Sequence, residues 1–262
     1  MIAGKKVVVV MPAYNAEKTL IRTYEEVMAQ QIVDLVIIVD DASRDSTVSV
    51  ASSLPSAKVI QHSQNRGYGG NQKTCYSAAL AEGADIVILV HPDYQYTPKL
   101  IPAMASLISC GLYNAVLGSR ILGGYAIEGG MPGWKYVANR GLTLACNILF
   151  GAKLSEYHTG YRAFSRELLL KLPIEENSDD FVFDNQMLAQ ILWLGEKIAE
   201  ITCPTLYFKE ASSINFQRSV EYGFGCLWTG LQFKLAQRKW VSPAFLPKAH
   251  SEPSKSPDAT SV

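Results

Sequence analysis

Three polar side chains at alternate positions, His91, Asp93 and Gln95, follow directly after the apolar segment 86–90. A glycine and a proline bound that segment, which is typical of a short strand buried on both faces. In an open parallel sheet, ligands bind just beyond the carboxyl ends of the strands. An imidazole, a carboxylate and an amide at such a place could ligate a divalent cation through nitrogen and oxygen. A polar turn that only closes the strand is the alternative.

Polar groups follow three further predicted strands in the same way. Pro12-Ala13-Tyr14-Asn15, Asp40-Asp41 and Ser119-Arg120 each stand where an apolar segment ends. The carboxyl ends of the strands in a doubly wound sheet share one edge, so these side chains are expected to converge. Neither G-x-G-x-x-G after the first strand nor G-x-x-x-x-G-K-[ST] is present. This argues against a dinucleotide-dependent dehydrogenase and against a P-loop NTPase.

The elements that must position these groups alternate between strand and helix. This alternation predicts an α/β fold with a mostly parallel sheet flanked by helices. A glycine-rich loop, 123–133, follows the fifth strand and has the length of a functional lid or binding loop. The predicted strands are 5–11, 34–40, 57–61, 86–90, 115–119, 159–164 and 197–208, and the predicted helices are 16–30, 45–54, 70–82, 98–110, 134–150, 179–195 and 218–240.

The bulk composition excludes some classes of function. Of the 262 residues 48% are apolar, and the formal net charge is zero, without the basic excess of a nucleic-acid-binding protein. The five cysteines are scattered and odd in number, which indicates free thiols in a reducing compartment. No secretory signal and no apolar segment of roughly 18 residues is seen. We therefore expect a cytoplasmic protein, or one peripheral at the inner face of the membrane.

Six short motifs in a fixed order resemble one known family. They are V-V-M-P-A-Y-N-A-E (9–17), I-V-D-D-A-S-R-D-S-T (38–47), N-R-G-Y-G-G-N (65–71), D-Y-Q (93–95), G-S-R (118–120) and T-G-Y-R-A-F (159–164). The set resembles the inverting glycosyltransferases of family 2, which have the GT-A fold, and within them the dolichyl- or polyprenyl-phosphate sugar synthases. No single motif would be specific, but together they span most of the chain from Lys5 to Tyr222.

The resemblance implies a pocket for a nucleotide-diphosphate sugar, with UDP favoured over GDP. Asp41 would accept hydrogen bonds from the base, and Asp40 would shape the pocket; a helix-capping turn is the alternative for both. The glycines from Gly67 would let the backbone approach the nucleoside, although a simple turn before a helix remains open. The implied nucleotide-binding residues are Pro12, Tyr14, Glu17, Asp40, Asp41, Gly67 and Gly70.

The metal motif of the family, D-x-D followed by glutamine, is altered in this chain. His91 replaces the first aspartate, while Asp93 and Gln95 keep their places. Histidine suits Mn²⁺ better than Mg²⁺, because hard cations prefer oxygen ligands. Three alternatives stay open: all three residues hold the cation, or Asp93 and Gln95 hold it while His91 touches a phosphate, or metal dependence is weak.

The remaining implied roles concern the diphosphate and the acceptor. Arg120 would hold the diphosphate, with a surface salt bridge as the alternative. Lys135, Arg140 and Arg162 would bind the acceptor phosphate. His158 replaces a small hydroxyl residue in the acceptor segment, and Lys209, Ser212 and Ser213 match the family's phosphate clamp only in part.

The acceptor class decides whether a catalytic base is needed. An ionised lipid phosphate needs none, whereas a hydroxyl acceptor must lose its proton to a carboxylate. Asp184, with Asp180 behind it, lies where hydroxyl-using relatives carry that base. Three hypotheses result: a peripheral enzyme using polyprenyl phosphate, a soluble enzyme using a saccharide or other hydroxyl, and a non-catalytic nucleotide-sugar binder.

Three segments are expected along the chain. Residues 1–217 would form the glycosyltransferase domain. Residues 218–240 would form an amphipathic helix whose aromatic and basic side chains suit a membrane surface, a dimer face in a homo-oligomer, or core packing. Residues 241–262 have little to bury and are predicted to be a disordered tail.

Overall fold

Seven strands form one sheet in the computed structural model, which describes residues 1–205 and 216–248. The order across the sheet is β3-β2-β1-β4-β6-β5-β7. The strands are Val7–Ala13 (β1), Leu35–Asp40 (β2), Ala57–Gln61 (β3), Ile86–Leu89 (β4), Ala115–Ser119 (β5), Arg162–Ser165 (β6) and Ile198–Thr202 (β7). The α-helices are Leu20–Met28 (α1), Thr47–Ser53 (α2), Gly67–Ala81 (α3), Ile101–Ser109 (α4), Gly133–Phe150 (α5), Arg166–Lys171 (α6), Phe183–Trp193 (α7) and Phe216–Gln237 (α8).

The sheet is parallel except at β6. Strand β1 pairs in parallel with β2 and β4, β2 with β3, and β5 with β7. Strand β6 lies antiparallel between β4 and β5. The predicted α/β, mostly parallel sheet is therefore confirmed. The predicted strands and helices occur in the predicted order, and α6 is an additional helix. Because β6 runs the opposite way, its amino end lies at the edge where β4 and β5 end.

Both faces of the central strands are buried, which explains their unbroken apolar sequences. In β1, Val8 and Val10 belong to one core cluster, and Val7 and Val9 belong to the other. Helices α3 and α7 contribute to the first cluster, and α1 and α4 contribute to the second. A rigid, doubly covered sheet therefore fixes the positions of the strand ends that carry the polar residues.

Helices α5 and α8 pack against each other on one side of the sheet. The approach is close at Gly230, where an added Cβ would lie 2.6 Å from Leu149 Cδ1. Cys226 and Phe233 of α8 are buried, whereas Phe224 and Trp228 on the same helix are 69% and 59% exposed. The predicted amphipathic helix thus both contributes to the core and carries exposed apolar side chains.

The predicted disordered tail begins too early in the chain. Phe245 and Leu246 are buried, and Gln190 of α7 donates a hydrogen bond from Nε2 to the carbonyl oxygen of Phe245 (2.6 Å). The prediction is wrong for residues 241–248 because two large apolar side chains dock into the core there. Residues 249–262 lie outside the described part of the chain. Among the described helices, none is both long enough and apolar enough to cross a bilayer.

Candidate functional site

A cavity of about 1230 Å³ lies where β1, β2, β4 and β5 end. The four polar strand ends predicted to converge do meet here, since Asp41, Asp93 and Arg120 line the same cavity. Two groups of predicted site residues can be separated by position. Those that line the cavity are Pro12, Tyr14, Asp41, Gly67, His91, Asp93, Gln95, Arg120, Lys135 and Asp184, and those that do not are Glu17, Asp40, Gly70, Arg140 and Arg162.

The Asp40-Asp41 pair shapes the corner between β2 and α3. Asp41 accepts hydrogen bonds from the backbone N–H groups of Arg66 (2.8 Å) and Gly67 (3.0 Å) and from His62 Nδ1 (2.7 Å). Its carboxylate therefore holds the first turn of α3, while the residue also lines the cavity. Asp40 is fully buried and accepts from the Ser43 amide (3.0 Å), which agrees with a shaping role.

Glu17 was expected at the base and ribose, but it ties two loops together instead. Its Oε2 atom accepts a hydrogen bond from the backbone N–H of Ser46 (2.8 Å). The amide of Glu17 in turn donates to Asp45 Oδ2 (3.2 Å). These contacts fix the loop after β1 against the start of α2. Glu17 does not line the cavity, and its predicted contact with the nucleoside stays a prediction.

The glycines of α3 make room for a protein loop rather than for a ligand. Gly67 has φ +85, and a Cβ there would lie 2.6 Å from the carbonyl oxygen of Asp179. At Gly69 a Cβ would lie 2.3 Å from Ser178 O, and the amides of Gly69 and Gly70 both donate to Asp179 O. Gly67 still lines the cavity. Gly70 does not line the cavity, and a Cβ there would meet Arg66 and the Asp179 side chain, so its nucleotide contact stays a prediction.

The candidate metal ligands stand together on the cavity wall. Asp93 Oδ1 accepts the backbone N–H of Gln95 (3.1 Å), and the left-handed backbone of Tyr94 (φ 58) turns the chain between them. Burial lowers the pKa of His91 and raises the pKa of Asp93, and the interaction between the two groups opposes both shifts. A neutral imidazole is the form that binds a metal.

The side chains of His91, Asp93 and Gln95 suit a divalent cation whose remaining ligands do not come from the protein. Within residues 1–205 and 216–248, no cluster of three or more His, Cys, Asp and Glu side chains could hold a metal ion. His91, Asp93 and Gln95 offer one nitrogen and two kinds of oxygen, which Mn²⁺ accepts. The rest of the coordination would come from diphosphate oxygens and water, as is usual for cations bound with a nucleotide.

Arg120 reaches the cavity as one half of a buried ion pair. Its Nε donates to Glu156 Oε1 (2.8 Å), its Nη2 contacts the same oxygen, and Nη2 also donates to the carbonyl oxygen of His158 (2.8 Å). Burial alone would raise the pKa of Glu156, but the Arg120 guanidinium together with the hydrogen bonds from the Arg120 backbone N–H and Asn139 outweighs burial, and the pKa is lowered. The guanidinium is thus charged and held in place at the cavity wall.

Glu156 was missed as a functional residue. It is fully buried and also accepts from Asn139 Nδ2 (2.8 Å) of α5. The segment E-Y-H-T-G-Y-R stands where the resembling family has D-P-T-S-G-F-R, so an acidic residue at its start was the available signal.

Two of the three residues predicted to bind an acceptor phosphate do not line the cavity. Arg162 is fully buried in β6 and donates to the carbonyl oxygens of Thr159 (2.8 Å), Tyr157 (2.9 Å) and Asp184 (2.8 Å). Arg140 lies on the outer side of α5 and donates to Ser155 O (2.8 Å). Both guanidinium groups hold the protein's own backbone, so the buried Arg162 is not available to an acceptor phosphate, whereas the role of Arg140 stays a prediction.

The third predicted acceptor residue, Lys135, does line the cavity. Partial burial and the nearby Arg120 lower its pKa. Lys135 lies in the first turn of α5, which follows the glycine-rich loop. The predicted phosphate clamp of Lys209, Ser212 and Ser213 lies outside the described residues.

Asp184 lines the cavity, but its carboxylate already has partners. Oδ2 accepts from the Tyr68 hydroxyl (2.8 Å), Oδ1 accepts from Gln72 Nε2 (3.2 Å), and Arg162 Nη1 lies 3.6 Å from Oδ1. Both oxygens of this carboxylate already accept hydrogen bonds from side chains of α3, which leaves less of it for an acceptor hydroxyl. The geometry therefore gives little support to Asp184 as a catalytic base.

His158, the residue that departs from the family's acceptor segment, lines the cavity. Its Nδ1 atom lies 2.8 Å from the Tyr222 hydroxyl of α8. Its Nε2 atom is buried and has no hydrogen-bond partner among the described residues. Burial lowers the pKa of His158 to about 4, so the ring is neutral near pH 7. The substitution of a small hydroxyl residue by histidine thus links the acceptor segment to α8.

Comparison with known proteins agrees with this geometry. The model of the family described as "Glycosyl transferase family 2" matches residues 8–172. UDP-N-acetylglucosamine–dolichyl-phosphate N-acetylglucosaminyltransferase of Methanococcus voltae is 27% identical over 90% of this chain and 98% of its own. Undecaprenyl-phosphate mannosyltransferase of Micrococcus luteus is 24% identical over 88% of this chain and 99% of its own.

A solved structure with the same fold belongs to glucosyl-3-phosphoglycerate synthase from Mycobacterium tuberculosis, in complex with Mn²⁺, UDP and glucosyl-3-phosphoglycerate. It superposes with a TM-score of 0.67 at 21% identity and covers 88% of this chain and 80% of that chain. Another structure of that synthase, with Mg²⁺ and UDP, gives a TM-score of 0.66 at 22% identity over the same shares of the two chains. The expected GT-A arrangement of sheet and helices is confirmed.

Proposed function

The chain belongs to glycosyl transferase family 2, and from that premise we propose that it moves a sugar from a nucleotide-diphosphate sugar to a polyprenyl-phosphate-type acceptor at a membrane surface. The observation that carries the proposal is the meeting of Asp41, Asp93 and Arg120 around one cavity. The relatives from Methanococcus voltae and Micrococcus luteus, whose names state lipid-phosphate acceptors, support the acceptor class.

The sugar donor would lie along the edge formed by β1, β2 and β4. Pro12, Tyr14 and Asp41 line the cavity at the carboxyl ends of β1 and β2, and the nucleoside would lie against them. The diphosphate would then reach Asp93 and Arg120. UDP is our choice of nucleotide, supported by UDP in the solved neighbour and by the UDP sugar named for the Methanococcus voltae relative.

Departure of the nucleoside diphosphate is the step that the site is built to assist. Negative charge grows on the diphosphate as the bond to the anomeric carbon breaks. Arg120, fixed by Glu156, meets this charge without having to reorganise. A bound Mn²⁺ or Mg²⁺, held by His91, Asp93 and Gln95, would neutralise part of the same charge. Attack from the opposite face of the sugar gives inversion at the anomeric carbon.

The contacts of Asp184, the residue predicted as a catalytic base, favour a phosphate over a hydroxyl as the acceptor. A lipid phosphate carries an ionised oxygen at neutral pH, so it attacks without losing a proton. Asp184 is engaged by Tyr68 and Gln72 and faces Arg162, as a residue that supports structure would be. The hydroxyl-acceptor hypothesis is therefore the weaker one. Lys135, which lines the cavity, is the candidate cation for the acceptor phosphate.

The two helices that line the cavity, α5 and α8, also expose apolar side chains. Helix α5 exposes Val137 (70%), Leu144 (61%) and Ile148 (67%), which lie seven and four residues apart on one side. Helix α8 exposes Phe224 (69%) and Trp228 (59%). We call these five side chains the apolar patch. Exposed apolar side chains on the helices beside the cavity suit a lipid interface, which would bring the acceptor to the cavity.

A transfer assay tests the proposal. The chain is incubated with a panel of UDP and GDP sugars, with Mn²⁺ or Mg²⁺, and with polyprenyl phosphate, a simple saccharide or neither. We expect labelled sugar to enter the organic phase only with lipid phosphate, and Asp93→Ala to abolish transfer. Transfer to the saccharide alone would favour the hydroxyl hypothesis. Nucleotide binding without transfer to any acceptor would favour a non-catalytic binder.

The same patch could instead pair two copies of the chain. Flotation with anionic vesicles and size-exclusion chromatography without vesicles separate the two cases. Vesicle binding by a monomer supports the membrane surface, and a stable dimer that ignores vesicles would replace it with a homo-oligomer.

A further inference from the structure

Tyr68 connects the altered metal motif to the core of the protein. Its ring stacks on the His91 ring, with centroids 5.5 Å apart and planes 18° apart. Its hydroxyl oxygen lies 3.2 Å from His91 Nε2 and 2.8 Å from Asp184 Oδ2. Neither contact was predicted from the sequence. The hydroxyl therefore stands between an imidazole nitrogen and a carboxylate, and its single proton can serve only one of them.

The surroundings of Asp184 decide where that proton goes. Asp184 accepts from the Gln72 amide, and the amide is oriented by the Tyr76 hydroxyl, which donates to Gln72 Oε1 (3.1 Å). The Arg162 guanidinium lies 3.6 Å from the same carboxylate, whose two oxygens accept the hydrogen bonds of Tyr68 and Gln72. Tyr68 must then donate its proton to Asp184. Its oxygen is left to accept a hydrogen bond from His91.

This arrangement fixes the tautomer of His91. A neutral imidazole carries one proton. The Tyr68 oxygen can accept a hydrogen bond from the ring only when that proton is on Nε2. Nδ1 is then the nitrogen with a bare lone pair. Among the described residues Nδ1 has no hydrogen-bond partner, whereas Nε2 is used by Tyr68. His91 lines the cavity beside Asp93 and Gln95.

Gly160 fixes the orientation of the ring. A Cβ at residue 160 would lie 2.6 Å from His91 Nε2 and 2.7 Å from Cδ2. The Nε2–Cδ2 edge is therefore packed closely against the backbone, and Nδ1 lies on the other edge. Any side chain at position 160 would push the imidazole out of this position.

We propose that Tyr68 is a positioning residue that presents Nδ1 of His91 as a cation ligand, and that this nitrogen makes the site select Mn²⁺ over Mg²⁺. The inference rests on the proposed function, since the cation would sit against the diphosphate of the sugar donor. A hydrogen-bond partner on the second ring nitrogen commonly fixes the tautomer of a histidine ligand and raises its basicity. Mg²⁺ prefers oxygen ligands and loses more from the aspartate-to-histidine change than Mn²⁺ does.

Binding of the metal is measured directly, with UDP present, from the electron paramagnetic resonance signal of free Mn²⁺, and Mg²⁺ is then added as the competitor. We expect wild type to bind Mn²⁺ at least about 10-fold more tightly than Mg²⁺. Tyr68→Phe keeps the stacked ring and loses the hydroxyl, and should weaken Mn²⁺ binding about 10-fold. His91→Asp restores an oxygen ligand and should remove most of the preference for Mn²⁺.

Tyr157→Phe is the matched control, because its buried hydroxyl contacts Asn147 Oδ1 (2.9 Å) away from the cavity. It should bind Mn²⁺ as wild type does. Long-range ¹H–¹⁵N correlation spectra of the metal-free chain give a second readout, since there are four histidines and His91→Gln assigns one of them. Wild type should show the Nε2–H form for His91, and Tyr68→Phe should show a mixture.

Two results would overturn the role of Tyr68: Mn²⁺ affinity unchanged in Tyr68→Phe, or an Nδ1–H tautomer for His91 in wild type. A preference for Mn²⁺ that survives in His91→Asp would also remove the role of the nitrogen. Binding of UDP to wild type, measured by calorimetry in the same buffers, separates this failure from failure of the proposed function. If UDP binds but the Tyr68 and His91 variants behave as wild type, only the inference is lost.

Discussion

The Arg120 guanidinium reaches the cavity while the carboxylate of Glu156, which has no exposed surface, holds it from behind. The backbone N–H of Arg120 donates to the other oxygen of Glu156 (2.8 Å), so the pair fixes main chain and side chain together. The cation is therefore positioned before a substrate arrives. An arginine fixed in this way is suited to meet charge that develops on a leaving group.

Removal of the Glu156 charge should lower both the free energy of unfolding and the rate of sugar transfer. Glu156→Gln leaves a largely buried guanidinium without its counter-charge, and we expect a loss of about 3–5 kcal/mol in the free energy of unfolding. Urea denaturation measures this loss. Glu167→Gln is the control, because its exposed ion pair with Lys171 (2.9 Å) should contribute no more than about 0.5 kcal/mol. Equal losses in the two variants would show that the buried ion pair contributes no more to stability than the exposed one.

The buried ring of His158 should make stability depend on pH. Its pKa is lowered to about 4 in the folded chain, from an unfolded value of about 6.5. A histidine that is kept neutral stabilises the fold above the unfolded pKa, and this contribution is lost as the pH falls towards 4. At its fullest the loss is about 3 kcal/mol.

Urea denaturation of wild type and His158→Asn between pH 7 and 4 measures the difference between their slopes. The variant should lose less stability than wild type over this interval. Parallel pH profiles would mean that His158 titrates normally in the folded chain.

The close contact between α3 and the 178–179 loop should make Gly69 intolerant of a side chain. Gly69→Ala places Cβ 2.3 Å from Ser178 O, so the loop must move and stability should fall by about 1–3 kcal/mol. Gly141→Ala, in α5 with open space around its Cβ, should instead be neutral or stabilising by up to about 1 kcal/mol. Thermal unfolding of both variants measures the contrast. A stabilised Gly69→Ala would contradict the packing described here.

The apolar patch should govern binding to vesicles. The double variant Leu144→Ser and Trp228→Ser removes exposed apolar area from both helices, and flotation with anionic vesicles should fall at least about 10-fold. Leu112→Ser is the control, because Leu112 is also exposed (68%) but lies outside the patch. UDP affinity should be unchanged in both proteins. Undiminished flotation of the double variant would place the lipid contact elsewhere.

The sequence predicted the strand ends well because two signals agree there. Apolar segments fix where β1, β2, β4 and β5 stop, and the polar residues that follow must share an edge if the sheet is parallel. Asp41, Asp93 and Arg120 were placed together for that reason. The antiparallel direction of β6 was not predicted, because local patterning carries no information about which neighbour a strand pairs with.

Side-chain direction accounts for what the sequence did not predict. Arg162 belongs to a matching motif, but its position opposite Leu89 and Leu117 in the sheet turns it into the core. Gly70 was assigned to a ligand because a glycine requirement shows that something approaches closely, without showing what. Tyr68 was passed over because its role depends on Asp184, which is 116 residues away in the chain.

Calorimetric titration with UDP in the presence of Mn²⁺ tests most directly whether this cavity is a nucleotide-sugar site. Wild type should bind UDP, Asp93→Ala and Arg120→Gln should bind it at least about 10-fold more weakly, and Arg140→Gln, whose side chain lies outside the cavity, should bind as wild type does. Failure of wild type to bind UDP or GDP, or equal affinity in the Asp93 and Arg120 variants, would contradict the account.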